Sequence, residues 1–121
     1  MRFIDKFIAF RKAAEARALV NEMIGGWKGA RDLVDQAARA AGSVTFNLRE
    51  GTTRPRDSAD RLRYYRFAWG SAVELETILD SAAERHLGPP DSLARARSLT
   101  SEVARILTVS VHKQPAPHPG P

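Results

Sequence analysis

Residues 59–86 read ADRLRYYRFAWGSAVELETILDSAAERH, and this stretch decides the fold. Within it Tyr65, Ala68, Ala72, Leu75, Leu79, Ala82 and His86 recur at alternating steps of three and four. That spacing places side chains on one face of an α-helix. The pattern predicts a helix over 59–86, about 40 Å long at 1.5 Å per residue, which sets the length of the whole bundle.

Working outward, Gly88-Pro89-Pro90 ends this helix, because proline cannot continue the hydrogen-bond ladder. Asp91 or Ser92 is then expected to cap a fourth helix reaching about Val111, with Ala96, Leu99, Val103, Ile106 and Ser110 on its inner stripe. Upstream, the segment 51–58 combines a glycine stop at Gly51, Pro55, and Asp57 or Ser58 as candidate N-caps, so it reads as a loop. Before it, Ala30, Leu33, Ala37, Ala40, Val44 and Leu48 mark a second helix over 30–49. A first helix over 2–24 carries Phe3, Phe7, Phe10 and Ala14, drifting to Ala16, Val20 and Met23. Gly25-Gly26 is expected to close it in left-handed geometry, with Trp27 covering the turn. Four helices with short connections predict an all-α, antiparallel up-down-up-down four-helix bundle over 1–113. The tail at 114–121 holds four prolines in eight residues and is expected to be disordered.

Composition agrees with this class and narrows the function. The hydrophobic fraction is 43%, rich in alanine, with only 7% aromatics, a balance that favours closely packed helices over sheets. There is no cysteine, so disulfides, thiolate catalysis and Cys-based zinc sites are excluded, and a reducing cytoplasm is the expected setting. No stretch approaches a membrane span, and the charged start gives no signal peptide. His86, His112 and His118 are scattered, without the Glu-x-x-His pairs of di-metal bundles, so neither a metal nor another cofactor is expected.

The chain carries 19 Lys+Arg against 14 Asp+Glu, for a net charge of +5. Arg49, Arg54, Arg56, Arg61, Arg63 and Arg66 fall within eighteen residues, opposed only by Glu50, Asp57 and Asp60. Guanidinium groups suit phosphate recognition, and the interleaved Tyr64, Tyr65 and Trp69 offer stacking surfaces for bases. RNA or DNA is therefore the expected partner of these six arginines, against the alternative of a merely solvated face. A second constellation is polar. Arg39, Ser43, Asn47 and Glu50 form a column on the second helix, and Ser71 and Glu74 lie on the third. Facing each other, they would form a buried network that sets helix register, or alternatively an acid/base site. Finally, Phe3, Ile4, Phe7, Ile8 and Phe10 span too much of the helix circumference to share one core, so some are expected to meet another subunit.

The run from Arg39 to Gly51 (RAAGSVTFNLREG), followed by Tyr65 to Thr77 (YRFAWGSAVELET), resembles a bacterial four-helix-bundle family. Its members include proteins encoded in intervening sequences of the large ribosomal RNA gene and accessory proteins of diversity-generating retroelements. The resemblance implies a homopentamer with a basic surface and, in the retroelement branch, association with a reverse transcriptase and nucleic acid. The reading is thus a non-enzymatic, oligomeric nucleic-acid-binding or ribonucleoprotein-associated module; the alternative is a protein-protein adaptor in which the same arginines meet acidic surfaces.

Overall fold

The computed structural model describes residues 2–112. It contains α1 (Phe3–Met23), α2 (Arg31–Thr53), α3 (Ala59–Glu84) and α4 (Pro90–Val111), with a 3₁₀ turn at Ile24–Gly26 after α1. Each helix packs on its neighbours in sequence, and α4 closes the ring on α1. Connections this short force successive helices to reverse direction, so the architecture is an antiparallel up-down-up-down four-helix bundle. Among the described residues there is no strand, and no helix is long and apolar enough to cross a membrane. The tail at 114–121 lies outside the described residues.

The core is two apolar clusters stacked along the bundle axis. One gathers Val20, Met23, Trp27, Leu33, Leu79 and Leu93 at the end holding the α1–α2 and α3–α4 turns. The other surrounds Leu48, Tyr65, Val103 and Leu107 at the opposite end. Between them Ala13, Ala16, Ala41 and Ala72 line a narrow waist around buried Thr100, whose hydroxyl donates to the Ala96 carbonyl at 2.7 Å. Alanine at these positions lets four backbones approach, and the void left is only about 10 Å³.

The stripe of α3 is buried at every expected position except His86. That residue lies just past the helix at φ 53, while its N–H reaches Ala83 O and the Leu87 N–H reaches Ala82 O. This is the Schellman closure, here with histidine where glycine is usual. On α4 the buried positions are Leu93, Ala96, Leu99, Thr100, Val103, Ala104, Leu107 and Val111, so the stripe continues from Val103 through Leu107 and Val111, shifted by one from the expected Ile106 and Ser110. A straight helix drifts relative to a strict three-four repeat, and four-residue steps keep it facing the core.

On α1 the inward residues are Ala9, Ala13, Ala16, Val20 and Met23, whereas Phe3 and Phe7 are exposed and Phe10 is half-buried. The core selects the alanine stripe because Leu48, Tyr65 and Leu107 already fill the space. The turn after α1 also differs from expectation. Gly25 and Gly26 lie within the 3₁₀ turn, and the left-handed residue is Gly29 at φ 75. Trp27, 3% exposed, covers the turn as expected, and a Cβ at Gly88 would lie 2.9 Å from its indole nitrogen. At the start of α4, Pro90 takes the first helical position and Asp91 stands in the first turn instead of capping it.

Candidate nucleic-acid interface

The basic segment folds into the corner between α2 and α3. Gly51, expected to stop α2, is instead a buried helical residue, and the helix runs on to Thr53. The cause is close packing: a Cβ at position 51 would lie 2.5 Å from Tyr65 Cε1 and 2.7 Å from Cδ1. Glycine here admits the tyrosine ring. The helix ends at Arg54, held extended at ψ 157 by the following Pro55. Ser58 then opens α3 by accepting from the Arg61 N–H at 3.0 Å.

Two of the six arginines build this corner. Arg61 reaches back from α3, donating from Nε to Gly51 O and from Nη2 to Thr52 O, both at 2.9 Å. It thereby satisfies the Thr52 carbonyl at the helix end, adds a second donor to Gly51 O, which also accepts from the Arg54 N–H, and puts a cation at the negative end of the α2 dipole. Arg54 donates to Tyr64 Oη at 2.8 Å and to Glu50 Oε2 at 3.3 Å, and its Nε lies 3.2 Å from Asp60 Oδ2. Its guanidinium also lies over the Tyr64 ring, 4.7 Å from the centroid. Arg63 is shared between Asp60 at 2.8 Å and the rings of Tyr64 and Phe67.

The other three face solvent. Among the described residues Arg49 makes no ion pair and stacks 5.5 Å from the Phe10 ring centroid, and Arg56 and Arg66 are exposed with no polar partner. The antiparallel topology adds a cation that the segment alone does not reveal. Lys6 of α1 reaches the same end of the bundle. Burial, together with Arg61 and Arg56, holds its ammonium below the usual lysine range, against a weaker opposing effect of Asp57.

The two polar columns meet at one point. Ser43 and Ser71 share a hydrogen bond of 2.7 Å between their hydroxyls. Asn47, 8% exposed, donates to Ser43 Oγ at 3.0 Å and to Ser43 O at 2.9 Å. The wider network does not form in the chain. Arg39 and Glu74 are exposed, and Glu50 turns to Arg54. Long charged side chains at these positions extend past the α2–α3 contact into solvent, whereas serine is short enough to meet across it. The Ser43–Ser71–Asn47 cluster holds no carboxylate. Among the described residues no group of three or more His, Asp or Glu is placed to hold a metal ion.

Ion pairs elsewhere are unevenly distributed. Arg97 binds Glu76 at 2.6 Å and Asp80 at 2.8 Å between α4 and α3. Arg95 meets Glu15 at 3.0 Å and Lys12 meets Glu102, both between α4 and α1. The α3–α4 and α1–α4 faces are therefore charge-balanced, while the α2–α3 corner keeps surplus arginines.

Comparison with curated protein sequences finds no match. Among solved structures, a protein of unknown function from the S23 ribosomal protein family of Bacteroides thetaiotaomicron superposes with a TM-score of 0.74 at 16% identity, covering 87% of this chain and 99% of its own. That likeness concerns the fold. The profile described as 23S rRNA-intervening sequence protein matches residues 5–109, running through all four helices and the basic corner, and the chain therefore belongs to the 23S rRNA-intervening sequence protein family.

Proposed function

We propose that this protein is a non-enzymatic module that binds nucleic acid, with RNA as the favoured class, through the positive end of the bundle. One observation carries the reading: Lys6 of α1, Arg56 of the loop and Arg61 of α3 come together at one end with only Asp57 opposing them, and Arg49 and Arg66 are exposed on α2 and α3 without an ion pair among the described residues. Cations gathered at the cost of mutual repulsion are offset best by a polyanion. The family's description associates it with 23S rRNA, and that association is the ground for preferring RNA to DNA. A half-buried polar cluster of Ser43, Ser71 and Asn47 supports a structural role for that cluster over catalysis.

The module works as a homo-oligomer. Phe3, Ile4 and Phe7 stand at least half exposed on α1, and Phe67 and Val109 are exposed on α3 and α4, an apolar surface that a second copy would cover. Repeating one modest patch on each subunit multiplies weak phosphate contacts through effective concentration. A reverse transcriptase, as the protein partner of the retroelement branch, would bring its template to the same end.

The test is fluorescence anisotropy with single-stranded, duplex and hairpin nucleic acids at low salt. The wild type is expected to bind, and Arg49→Gln/Arg56→Gln/Arg66→Gln to weaken binding to all sequences alike with an unchanged helical signal. Arg54 and Arg61 are unsuitable for this purpose because they hold the corner together. Absence of wild-type binding to all three forms would replace this reading with the protein-protein adaptor. Light scattering that gave a 13.4 kDa species at micromolar concentration would defeat the oligomer.

A further inference from the structure

The contact between α1 and α2 is the thinnest of the four, and a groove of about 630 Å³ runs along it. Small residues line part of it, Gly42 on α2 and Ala14 and Ala18 on α1, with the Arg17 guanidinium lying over Gly42. Its walls carry Phe10 and Arg17 from α1 and Phe46 and Arg49 from α2. Phe46 is 59% exposed, a large apolar ring that the single chain does not cover. The lining contains no carboxylate, and among the described residues no ion pair crosses from α1 to α2. Arg17 has only a 3.4 Å contact to Thr45 Oγ1, and Arg49 lies on the Phe10 ring.

We infer that this groove receives unpaired nucleotides of the bound nucleic acid, with bases against Phe46 and the stacked Arg49–Phe10 pair and phosphates at Arg17. The inference rests on the proposed nucleic-acid role and names a second subsite for it. Three features select this occupant. Two cations without a counter-carboxylate call for an anion, and aromatic faces beside them give the pairing of charge and stacking surface that single strands use. Asn21, exposed in the lining, supplies a hydrogen-bonding amide for a base edge. Arg49 also belongs to the positive end, so a strand held there passes directly into the groove. From Phe10 to Asn21 the groove follows about 16 Å of helix axis, room for a short single-stranded run but too little for a duplex.

The experiment compares anisotropy of a labelled single-stranded RNA 20-mer with that of the same sequence as a duplex. The proteins are the wild type, Phe46→Ala, and Gly42→Leu, which puts a branched side chain into the groove where the Arg17 guanidinium lies. Both positions spare the core: Phe46 is exposed, and a Cβ at Gly42 meets only the Arg17 guanidinium at 3.6 Å. Each variant is expected to weaken single-strand binding about five- to a hundred-fold, the loss of one or more stacked bases, and to leave duplex binding unchanged. If the wild type binds both forms but neither variant alters the single-strand curve, this inference fails and the function proposed above stands. If the wild type binds neither form, both fail. A lower mass for Phe46→Ala in light scattering would also overturn the inference, since the groove would then be a contact between copies.

Discussion

Gly51→Ala is the substitution whose sign depends most directly on how the basic corner is built. Inside an exposed helix the change should stabilise by about 1 kcal/mol, because alanine loses less backbone freedom than glycine. Here the added methyl would lie 2.5 Å and 2.7 Å from two ring carbons of Tyr65, and 3.4 Å from Tyr64 Cβ. Tyr65 is 4% exposed and packed within the lower core cluster, so its ring has no free space to enter. Overpacking of this kind costs about 1–3 kcal/mol, and a contact this short belongs at the upper end. The net expectation is destabilisation by roughly 1–2 kcal/mol, or about 4–8 °C in Tm for a domain of this size. Thermal unfolding followed by circular dichroism reads this directly. In a double-mutant cycle with Tyr65→Leu, which removes the nearest ring carbon, most of the penalty should disappear. An increase in Tm for Gly51→Ala alone would refute the account, because α2 would then not run past Tyr65 as described.

Other substitutions probe separate parts of the fold. Asn47→Ala should cost about 1 kcal/mol by removing the donor to Ser43, whereas exposed Glu74→Ala should change stability by less than about 0.5 kcal/mol; equal effects in urea melts would contradict the assignment of the buried cluster. His86→Gly should raise stability by about 0.5–1 kcal/mol, since φ 53 strains a side chain with a Cβ; calorimetry showing a loss would mean that the imidazole stabilises that turn. Tyr65 Oη is buried without a hydrogen-bond partner, and burial raises its pKa above the usual 10.0, with Arg61 opposing. The unfolded phenol ionises first, so the tyrosine's contribution to stability is intact below pH 10.0 and lost as pH rises through the folded value. Tyr65→Phe should therefore be neutral or stabilising at pH 7 and should flatten the alkaline fall; an equally steep fall would place its origin elsewhere.

Residue type and spacing made the architecture legible wherever one signal had one meaning. The α3 stripe was readable because Leu75, Leu79 and the alanines around them repeat without interruption, and Pro89-Pro90 permits no continuation. Gly51 was not readable, because a glycine that ends a helix and a glycine that admits a neighbouring ring look alike until Tyr65 is in place. The phenylalanines of α1 misled for a related reason: hydrophobicity says what is favourable to bury, but the remaining space in the core admitted only Ala9, Ala13 and Ala16. Charge density placed the positive segment, yet it could not divide the arginines by role. The partners of Arg61 are backbone carbonyls ten and nine residues away, and those of Arg54 include a ring on the next helix. Neither follows from spacing along one helix. Ser43 and Ser71 could be paired from the two polar columns, but the α1–α2 groove depends on how far two helices stand apart, which no periodicity encodes.

The central claim is that the free arginines of the positive end contact phosphates, and counterion release tests it most directly. Affinity for one RNA hairpin, measured by anisotropy across a salt series, should fall linearly on a log-log plot. The slope should shrink by roughly 0.7–0.9 for each contacting arginine removed in Arg49→Gln/Arg56→Gln/Arg66→Gln. A slope identical to that of the wild type would contradict the account and leave the positive end of the bundle as solvated surface.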